Sequence, residues 1–463
     1  MSKVTELTRE KVLETICKAT RANTLGLFIG SGFTKAMLQH NNNYKAYDWG
    51  ELLSQACDKM NITRNVLGEG MPYPQVATTM CHEYVKSSMV SFQDAERKLK
   101  LIIADLVDVY PSDSMLEKYE GYFKVLDPNW VVTTNYDSII EQILHEKAFS
   151  INPKDSFIKT KDFVPVYHIH GSKSDPDSIV ITNEDYTHTL RVSDYRHARL
   201  PFLIKESTVL MIGYSLNDLN VLSAVDYCQN VYTNISTAYE TPIIQLLYKK
   251  YPEPNPYKDS NNIIIQEISD LSEYLSEFSE YSKRFRGVIG KEIKRVNALV
   301  EKYTNSKESD VAALIEDKNI RMEIINSVKD IDYEFWYVYP SYTAFLNKAF
   351  GILWNNASIQ NAFQYYAYIL ELLLDLIENV NYDKVPASYV DFLVAKFRDI
   401  AYFVGTQLGQ SWDADRVWKE RQHRIPDEFV EEALKRLKDD FDSACAKKLL
   451  DTHQWKILDF ADF

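Results

Sequence analysis

Short runs of apolar and β-branched residues alternate with helical patterns through the first half of the chain, and this alternation most limits the folds available to it. Strands are predicted at 25–29, 129–135, 164–171, 207–215, 241–248 and 261–268. Strands separated by helices are typical of βαβ units and of a parallel sheet. We therefore predict an α/β fold with a Rossmann-like, doubly wound sheet.

The spacing of apolar residues also predicts how the chain divides. Between the first two predicted strands, about residues 35–128, the spacing is mostly helical, which indicates a helical insertion in the α/β domain. Beyond about residue 290 no strand pattern occurs, and apolar stripes at helical spacing run through 358–380 and 427–441. We predict an α/β domain at 1–289 and an all-helical domain at 290–463.

Composition excludes several classes of protein. The chain has 52 basic and 66 acidic residues, a formal charge of −14, which argues against sequence-independent adhesion to nucleic acid or to anionic membranes. No uncharged apolar stretch reaches the roughly 18 residues that a membrane span needs. The five cysteines form no CxxC pair, so a zinc ribbon or a disulfide framework is not expected, and a reducing cytoplasm is the expected location.

Four polar clusters follow predicted strands at the point where each strand ends. They are residues 30–34 (GSGFT), 133–137 (TTNYD), 168–171 (HIHG) and 213–215 (GYS). In an open parallel sheet, ligands bind outside the carboxyl ends of the strands, near the point where the strand order reverses. We therefore expect these clusters to converge on one site.

Each cluster has a structural interpretation beside the functional one. The glycine turn lets backbone N–H groups approach a pyrophosphate at a helix N-terminus, but it also serves simply as a sharp turn. Asn135 and Asp137 are each suited to hold a ligand or to cap the next helix. His170 is suited to proton transfer near neutral pH, although a lone histidine at a strand end more often has a structural role. His168, two residues earlier, raises the alternative of a His-x-His metal pair, for which no third ligand stands at suggestive spacing.

Taken in order, the four clusters resemble the motifs of the sirtuin-like family, in the zinc-less branch found in bacterial antiviral effectors. There a GAG-type glycine turn is followed by a TxNxD strand end, an HG dipeptide and a GxS strand end. The phrase YDWGELL at 47–53 also resembles the W-x-E-L-L stretch that follows the glycine turn in that branch. The resemblance covers about residues 20–290, and Ser31 and Thr34 stand where the family often has Ala and Ser.

The resemblance implies roles for individual residues. Asn135 would hold the reacting ribose and a water, and His170 would accept a proton as the second catalytic residue. Asp137 would contact the nicotinamide carboxamide. The remaining cofactor-binding residues implied by the resemblance are Gly30, Ser31, Gly32, Phe33, Thr34, Gly213, Ser215, Asn217 and Asp218.

The function implied is hydrolysis of NAD to nicotinamide and ADP-ribose by a cytoplasmic effector that depletes NAD during antiviral defence (abortive infection). NAD is then the substrate and no metal is expected. The helical domain would be regulatory, or would join copies of the chain or a partner protein. Two alternatives stay open: an NAD-dependent deacylase or ADP-ribosyltransferase, and a non-catalytic sensor of NAD or ADP-ribose. The absence of paired CxxC motifs, which build the zinc module of deacylating sirtuins, favours NAD consumption over deacylation.

Overall fold

The computed structural model describes residues 7–39, 41, 43–64, 70–153, 155, 162–189, 195–214, 242–359, 363–438 and 440–458. The chain divides into two compact units, Met1–Gly287 and Val288–Phe463. The boundary falls within one long helix, Leu271–Thr304.

The first unit is built on a single sheet, which has eight strands in the described part of the chain. The strands are β1 (Leu25–Ile29), β2 (Trp130–Thr133), β3 (Ala148–Ile151), β4 (Val164–His168), β5 (Thr208–Ile212), β6 (Ile243–Tyr248), β7 (Tyr257–Lys258) and β8 (Ile264–Ile268). Their order across the sheet is β3-β4-β2-β1-β5-β6-β8-β7. All neighbouring strands are parallel except β7 and β8, which are antiparallel.

The central strands are mostly apolar because helices and loops cover both faces of the sheet. Every residue of β1, β2, β5 and β8 is buried. Gly26 of β1 leaves room for the Trp130 ring, since a Cβ at that position would lie 2.0 Å from the ring. The Trp130 indole N–H in turn donates to Ser207 Oγ at 2.9 Å. A glycine in the strand therefore pairs with a large aromatic residue on its neighbour.

Helices precede, separate and follow these strands. They are α1 (Arg9–Arg21), α2 (Ser31–Met37), α3 (Trp49–Lys59), α4 (Tyr73–Ser88), α5 (Phe92–Leu106), α6 (Asp113–Leu126), α7 (Ile139–Leu144), α8 (Asn183–Thr189), α9 (Tyr195–Lys205) and α10 (Leu271–Thr304). One face of the sheet packs on α1, α2, α6, α7 and the start of α10. Helices α3, α4 and α5 form a lobe with its own apolar core, to which Tyr136, Ile179 and Ile181 contribute.

The described part of the second unit is helical. Its helices are α11 (Glu308–Glu316), α12 (Lys318–Val328), α13 (Tyr339–Ile359), α14 (Gln364–Glu378), α15 (Ala387–Ala401), α16 (Trp412–Arg421), α17 (Asp427–Arg436) and α18 (Phe441–Leu458). They enclose a separate hydrophobic core. At one point this core holds a buried ion network, in which Asp375 accepts from Arg321 Nε at 2.7 Å and from Arg421 Nη2 at 2.7 Å. Arg421 Nε also donates to Glu378 at 2.9 Å.

The predicted fold class is confirmed: a Rossmann-like parallel sheet with a helical insertion is followed by a helical region. Details differ from the sequence pattern. Strands β3 and β7 were not predicted. The stretch 427–441 is not one continuous helix: α17 ends at Arg436, and α18 begins at Phe441, where Asp440 accepts from the Ser443 backbone N–H at 2.8 Å. The stretch 358–380 likewise contains the end of α13 and the whole of α14.

Candidate functional site at the carboxyl edge of the sheet

The strands that carry the four polar clusters lie side by side. Strand β1 pairs with β2 on one side and with β5 on the other, and β2 also pairs with β4. The clusters that follow these four strands therefore stand at one edge of the sheet. This is the edge at which doubly wound folds bind their ligands.

The glycines of the first cluster bring two strand ends unusually close together. Gly32 N–H donates to the Gly213 carbonyl at 2.9 Å. A Cβ on Gly30 would lie 2.5 Å from that carbonyl oxygen, and a Cβ on Gly32 would lie 2.7 Å from Gly213 Cα. Gly213 has φ +64°, and a Cβ there would lie 2.2 Å from the Phe33 backbone nitrogen. Close backbone packing thus accounts for these three glycines, and ligand contact by them stays a prediction.

The three other residues of the glycine turn have different environments. The Phe33 side chain lies in the core, where its ring meets the edge of Tyr119 with centroids 5.7 Å apart. Only the Phe33 backbone is therefore left for the predicted cofactor contact. Ser31 is exposed at the start of α2, whereas Thr34 is buried, and both line the cleft described below.

Asn135, Thr34 and Asp137 form a continuous hydrogen-bonded chain. Asn135 Nδ2 donates to the Gly30 carbonyl at 3.1 Å and to Thr34 Oγ1 at 3.0 Å. The Thr34 hydroxyl donates in turn to Asp137 Oδ2 at 2.6 Å. Asp137 Oδ1 accepts from the Ile139 backbone N–H at 3.1 Å, so the carboxylate also caps α7. Both interpretations of this strand end, a helix cap and part of a polar site, therefore describe Asp137.

These bonds determine what Asn135 offers to a ligand. A side-chain amide has two N–H donors and one carbonyl acceptor. The Asn135 Nδ2 group donates to two acceptors of the protein. One acceptor, the Gly30 carbonyl, can only accept, so the atom bonded to it must be the amide nitrogen. This arrangement fixes the orientation of the amide. Its Oδ1 atom is the group that remains to accept a hydrogen bond from a bound molecule.

The electrostatics of Asp137 differ from those of a surface carboxylate. Burial raises the pKa of Asp137, although the hydrogen bonds from Thr34 and from the Ile139 backbone act in the opposite direction. Desolvation disfavours the charged form of any buried acid. The site therefore holds a carboxyl group that takes up a proton more readily than an exposed one.

The two histidines of the third cluster point to different partners. His168 Nε2 donates to Glu141 Oε1 at 2.7 Å, and its Nδ1 lies 3.2 Å from the Asn135 carbonyl. Burial opposes a charge on His168, but the hydrogen bond and the charge of Glu141 outweigh it and raise the pKa of His168. His168 is therefore half of a buried ion pair between β4 and α7. Within the described residues, no group of three or more His, Cys, Asp and Glu side chains is arranged to hold a metal.

His170 lies beyond the end of β4 and is buried. Its backbone carbonyl accepts from the Val180 N–H at 2.8 Å, and its ring meets Tyr186 of α8 with centroids 5.5 Å apart. Gly171, which follows, has φ +83°, and a Cβ there would lie 2.2 Å from the Ser178 carbonyl oxygen. The chain therefore turns at this point in a way that only glycine accommodates without strain.

Asn135 and His170 follow the ends of neighbouring strands. Among the described residues, however, they do not line the same cleft. Each is two residues beyond the paired Thr133 and His168 of β2 and β4. A cleft of about 90 Å³ lies beside Asn135, lined also by Ser31, Thr34, Thr134, Tyr136 and Asp137, and His170 is not among its lining residues. The prediction that Asn135 and His170 face one bound dinucleotide therefore stays a prediction.

The segment leading into α3, together with the first residue of that helix, forms part of the cleft wall. These residues were not assigned to the site by the sequence analysis. Lys45, Tyr47, Asp48 and Trp49 line the cleft. The signal that could have identified them is the phrase YDWGELL. Its Asp48 and Glu51 form a capping box at the start of α3, and Trp49 stacks on Tyr73. A local helix-start motif thus places an aromatic residue beside the site.

Three predicted cofactor-binding residues, Ser215, Asn217 and Asp218, lie outside the described residues. Within the described residues, no helix is both long and apolar enough to cross a membrane.

Comparison with known proteins adds independent information. Residues 129–263 match the family model of the SIR2-like domain. This range includes Asn135, Asp137 and His170 but not the glycine turn. A curated relative is the NAD(+) hydrolase ThsA of Acinetobacter baumannii (strain 532279), which is 34% identical over 96 residues. That match spans 19% of this chain and 20% of the relative, so only about a fifth of the relative's length is covered.

Proposed function

Since the chain carries a SIR2-like domain, we propose that it binds NAD at the carboxyl edge of the sheet and hydrolyses its nicotinamide–ribose bond. The products are nicotinamide and ADP-ribose. The name of the relative, an NAD(+) hydrolase, supports this choice of reaction. The observation that carries the proposal is the Asn135 amide beside the cleft, with both its donors used and its carbonyl oxygen left to hold a nucleophile.

The proposed reaction needs one water and one proton acceptor. The bond between the nicotinamide nitrogen and the ribose C1′ breaks, and the electron pair leaves with nicotinamide. A water oxygen bonds to C1′ and loses a proton. Asn135 Oδ1 accepts a hydrogen bond from that water, which turns a lone pair of the water towards the sugar. His170 accepts the proton, directly or through a second water, and releases it to solvent.

The surroundings of Asn135 suit the leaving group. Tyr47, Trp49 and Leu52 give the cleft apolar and aromatic surface, on which a nicotinamide ring packs favourably. Asp137 supplies a polar contact for the carboxamide at the same edge. The raised pKa of Asp137 suits hydrogen bonding to a neutral amide better than pairing with a strong cation.

Two other functions make different predictions. A deacylase or ADP-ribosyltransferase releases nicotinamide only when a protein acceptor is present, and this sequence has none of the paired CxxC motifs of the deacylase zinc module. A sensor binds NAD or ADP-ribose and leaves both intact. Measuring NAD consumption with and without an acceptor protein separates all three.

The test is NAD loss by the full chain, in cells exposed to phage and with purified protein. We expect Asn135→Ala and His170→Ala to abolish NAD loss. Asn319→Ala and His423→Ala are matched controls, because both side chains are exposed and distant in sequence from the clusters. Hydrolysis that persists in both site variants contradicts the proposal, and binding of NAD without cleavage on phage exposure favours the sensor.

We propose further that the second unit regulates the first, either by holding it inactive or by joining copies of the chain, as expected of an enzyme that depletes NAD in antiviral defence. Stretches 349–370 and 400–412 contain no charged residue. They meet where Ser411 Oγ donates to the Phe363 carbonyl at 2.8 Å. Within these two stretches, Leu408 is fully exposed and Trp412 is 72% exposed.

A surface formed by uncharged stretches suits self-association in this protein, because each copy carries a formal charge of −14 and faces of like charge repel each other. We expect the mass measured by light scattering to rise with concentration, and Leu408→Asp or Trp412→Asp to prevent the rise. Val288→Asp, at another exposed apolar position, is the control. A mass that stays monomeric at all concentrations contradicts self-association through this surface.

A further inference from the structure

Helix α8 places one aromatic side chain, Tyr186, against the ring of His170. The ring centroids are 5.5 Å apart, and the planes are inclined by 64°. We propose that Tyr186 is a positioning residue for His170, and that the buried ion pair between Lys100 and Asp185 holds Tyr186 in place. This inference rests on the proposed function, because it assigns His170 the role of proton acceptor.

The ion pair connects the helical lobe to α8. Lys100 of α5 is only 6% exposed, and its Nζ donates to Asp185 Oδ1 at 2.8 Å. A lysine so deeply buried is rare unless it is paired with an acid. The other Asp185 oxygen accepts from the backbone N–H groups of Ile181 and Thr182, at 3.0 and 3.1 Å. Asp185 therefore fixes both the direction of the chain entering α8 and its distance from α5.

Further contacts hold the first turn of α8 on the lobe. The Thr182 hydroxyl donates to Glu96 Oε1 of α5 at 2.8 Å. Thr78 of α4 accepts from the Asn183 backbone N–H at 3.0 Å and donates to Glu184 at 3.2 Å. Two helices of the lobe thus determine where Tyr186, one turn further along α8, stands.

The backbone of His170 is held by a second route. Val180 N–H donates to the His170 carbonyl, and the Val180 carbonyl accepts from the Tyr136 hydroxyl, each at 2.8 Å. Tyr136 is adjacent to Asn135 in sequence and lines the cleft. These hydrogen bonds hold the backbone of His170, whereas the Tyr186 ring contacts its side chain. The imidazole still has two side-chain torsions to fix, and contact with a second ring restricts both.

A proton acceptor works only when it stands within hydrogen-bonding reach of the proton it takes. Misplacement of a catalytic group by about 1 Å costs about 100-fold in rate. The loss falls on kcat and not on KM when the group does not contribute to substrate affinity. A ring that only filled space would instead affect stability, or both constants together.

The test compares full-length variants at Tyr186 and Lys100. We expect Tyr186→Phe to keep the wild-type kcat, and Tyr186→Ala and Tyr186→Leu to lower it by about 10- to 100-fold with KM for NAD unchanged. Lys100→Met should lower kcat in the same way. Lys98→Met, the same substitution at an exposed position of α5, is the matched control and should leave kcat unchanged.

A second readout does not depend on activity. Diethyl pyrocarbonate modifies accessible histidines, and mass spectrometry locates the modified residue. His170 is 3% exposed, so we expect it to resist modification in the wild type and in Tyr186→Phe, and to react in Tyr186→Ala and Lys100→Met. Equal reactivity of His170 in all variants, or a kcat unchanged by Tyr186→Ala, overturns the positioning role.

The two readouts separate this inference from the proposed function. If wild-type protein cleaves no NAD while His170 becomes reactive only in Tyr186→Ala and Lys100→Met, the proposed function fails and the structural link stands. If NAD is cleaved and kcat falls only for variants whose thermal unfolding also shifts, Tyr186 acts through stability and the inference fails. Tyr186→Leu retains apolar volume. A fall in its kcat without a shift in its thermal unfolding therefore supports positioning of His170, and a fall with such a shift indicates an effect through stability.

Discussion

The buried pair of His168 and Glu141 makes a quantitative prediction about stability. Their side chains are 1% and 20% exposed, and the Nε2–Oε1 distance is 2.7 Å. Removing one partner of a buried ion pair costs about 3–5 kcal/mol. We consider Glu141→Gln, which removes the charge but retains an acceptor oxygen, and therefore expect a cost near the lower end, about 3 kcal/mol. For a domain of this size, about 2–4 °C per kcal/mol gives a fall in Tm of about 6–12 °C.

The pH dependence of this cost follows from the two pKa shifts. Burial works against the charged His168, but Glu141 outweighs it and raises the pKa of His168 above its ordinary value of 6.5. Its stabilising contribution is therefore complete below that value and is lost as pH rises through the raised pKa. Burial likewise works against the charged Glu141, but His168 outweighs it and lowers the pKa of Glu141 below 4.5. That contribution is present above 4.5 and is lost as pH falls through the lowered pKa.

The assay is calorimetric unfolding of the wild type and of Glu141→Gln across this range. The difference in Tm should be largest near about pH 6, where both groups are charged, and should narrow as the solution becomes alkaline. Glu146→Gln is the control, because Glu146 lies close in sequence and is exposed. A difference that is constant with pH, or equal to that of Glu146→Gln, would show that the pair is not charged in the folded protein.

Two further substitutions test the backbone and the second unit. Gly171→Ala should destabilise the protein by at least about 2 kcal/mol in urea unfolding, because φ is +83° and the new Cβ would lie 2.2 Å from the Ser178 carbonyl oxygen. Gly70→Ala shares a positive φ but has no neighbour within 4 Å among the described residues, so a cost equal to that of Gly171→Ala would refute the steric argument. Asp375→Asn leaves the buried Arg321 and the partly buried Arg421 without their shared carboxylate and should cost about 3–5 kcal/mol in the same assay. The exposed Asp383→Asn should cost nothing measurable, and a similar small effect at Asp375 would contradict the role of the network.

The strands were predictable where they are buried and apolar over their whole length. The LGLFI run is strand β1 as predicted, because a central parallel strand needs no polar alternation. Strand β3, with the sequence AFSI, carries no such signal. It is a strand because its four residues pair with β4, which is a tertiary contact that a local pattern does not contain.

The polar clusters were predictable as a group, but the partners of each side chain were not. An extended strand puts His168 and His170 on the same side, so the sequence pattern also allows a metal-binding pair. The chain instead leaves the strand after His168, so His168 meets Glu141 and His170 meets Tyr186. Thr34 was assigned to cofactor binding with the glycine turn, yet its hydroxyl links Asn135 to Asp137. Such pairings depend on atomic distances between segments that lie from 16 to 103 residues apart in the sequence.

The helical lobe contributes to both halves of the candidate site, and this gives it a function beyond filling an insertion. Trp49 and Asp48, at the start of α3, form a wall of the cleft beside Asn135. Lys100 on α5 holds the helix that carries Tyr186 against His170. A shift of the lobe therefore changes the wall near the proposed water and the support of the proposed proton acceptor at the same time. We infer that substitutions in the α3–α5 core, far from any reacting atom, alter kcat together with stability, whereas those on exposed faces of the lobe away from the cleft alter neither.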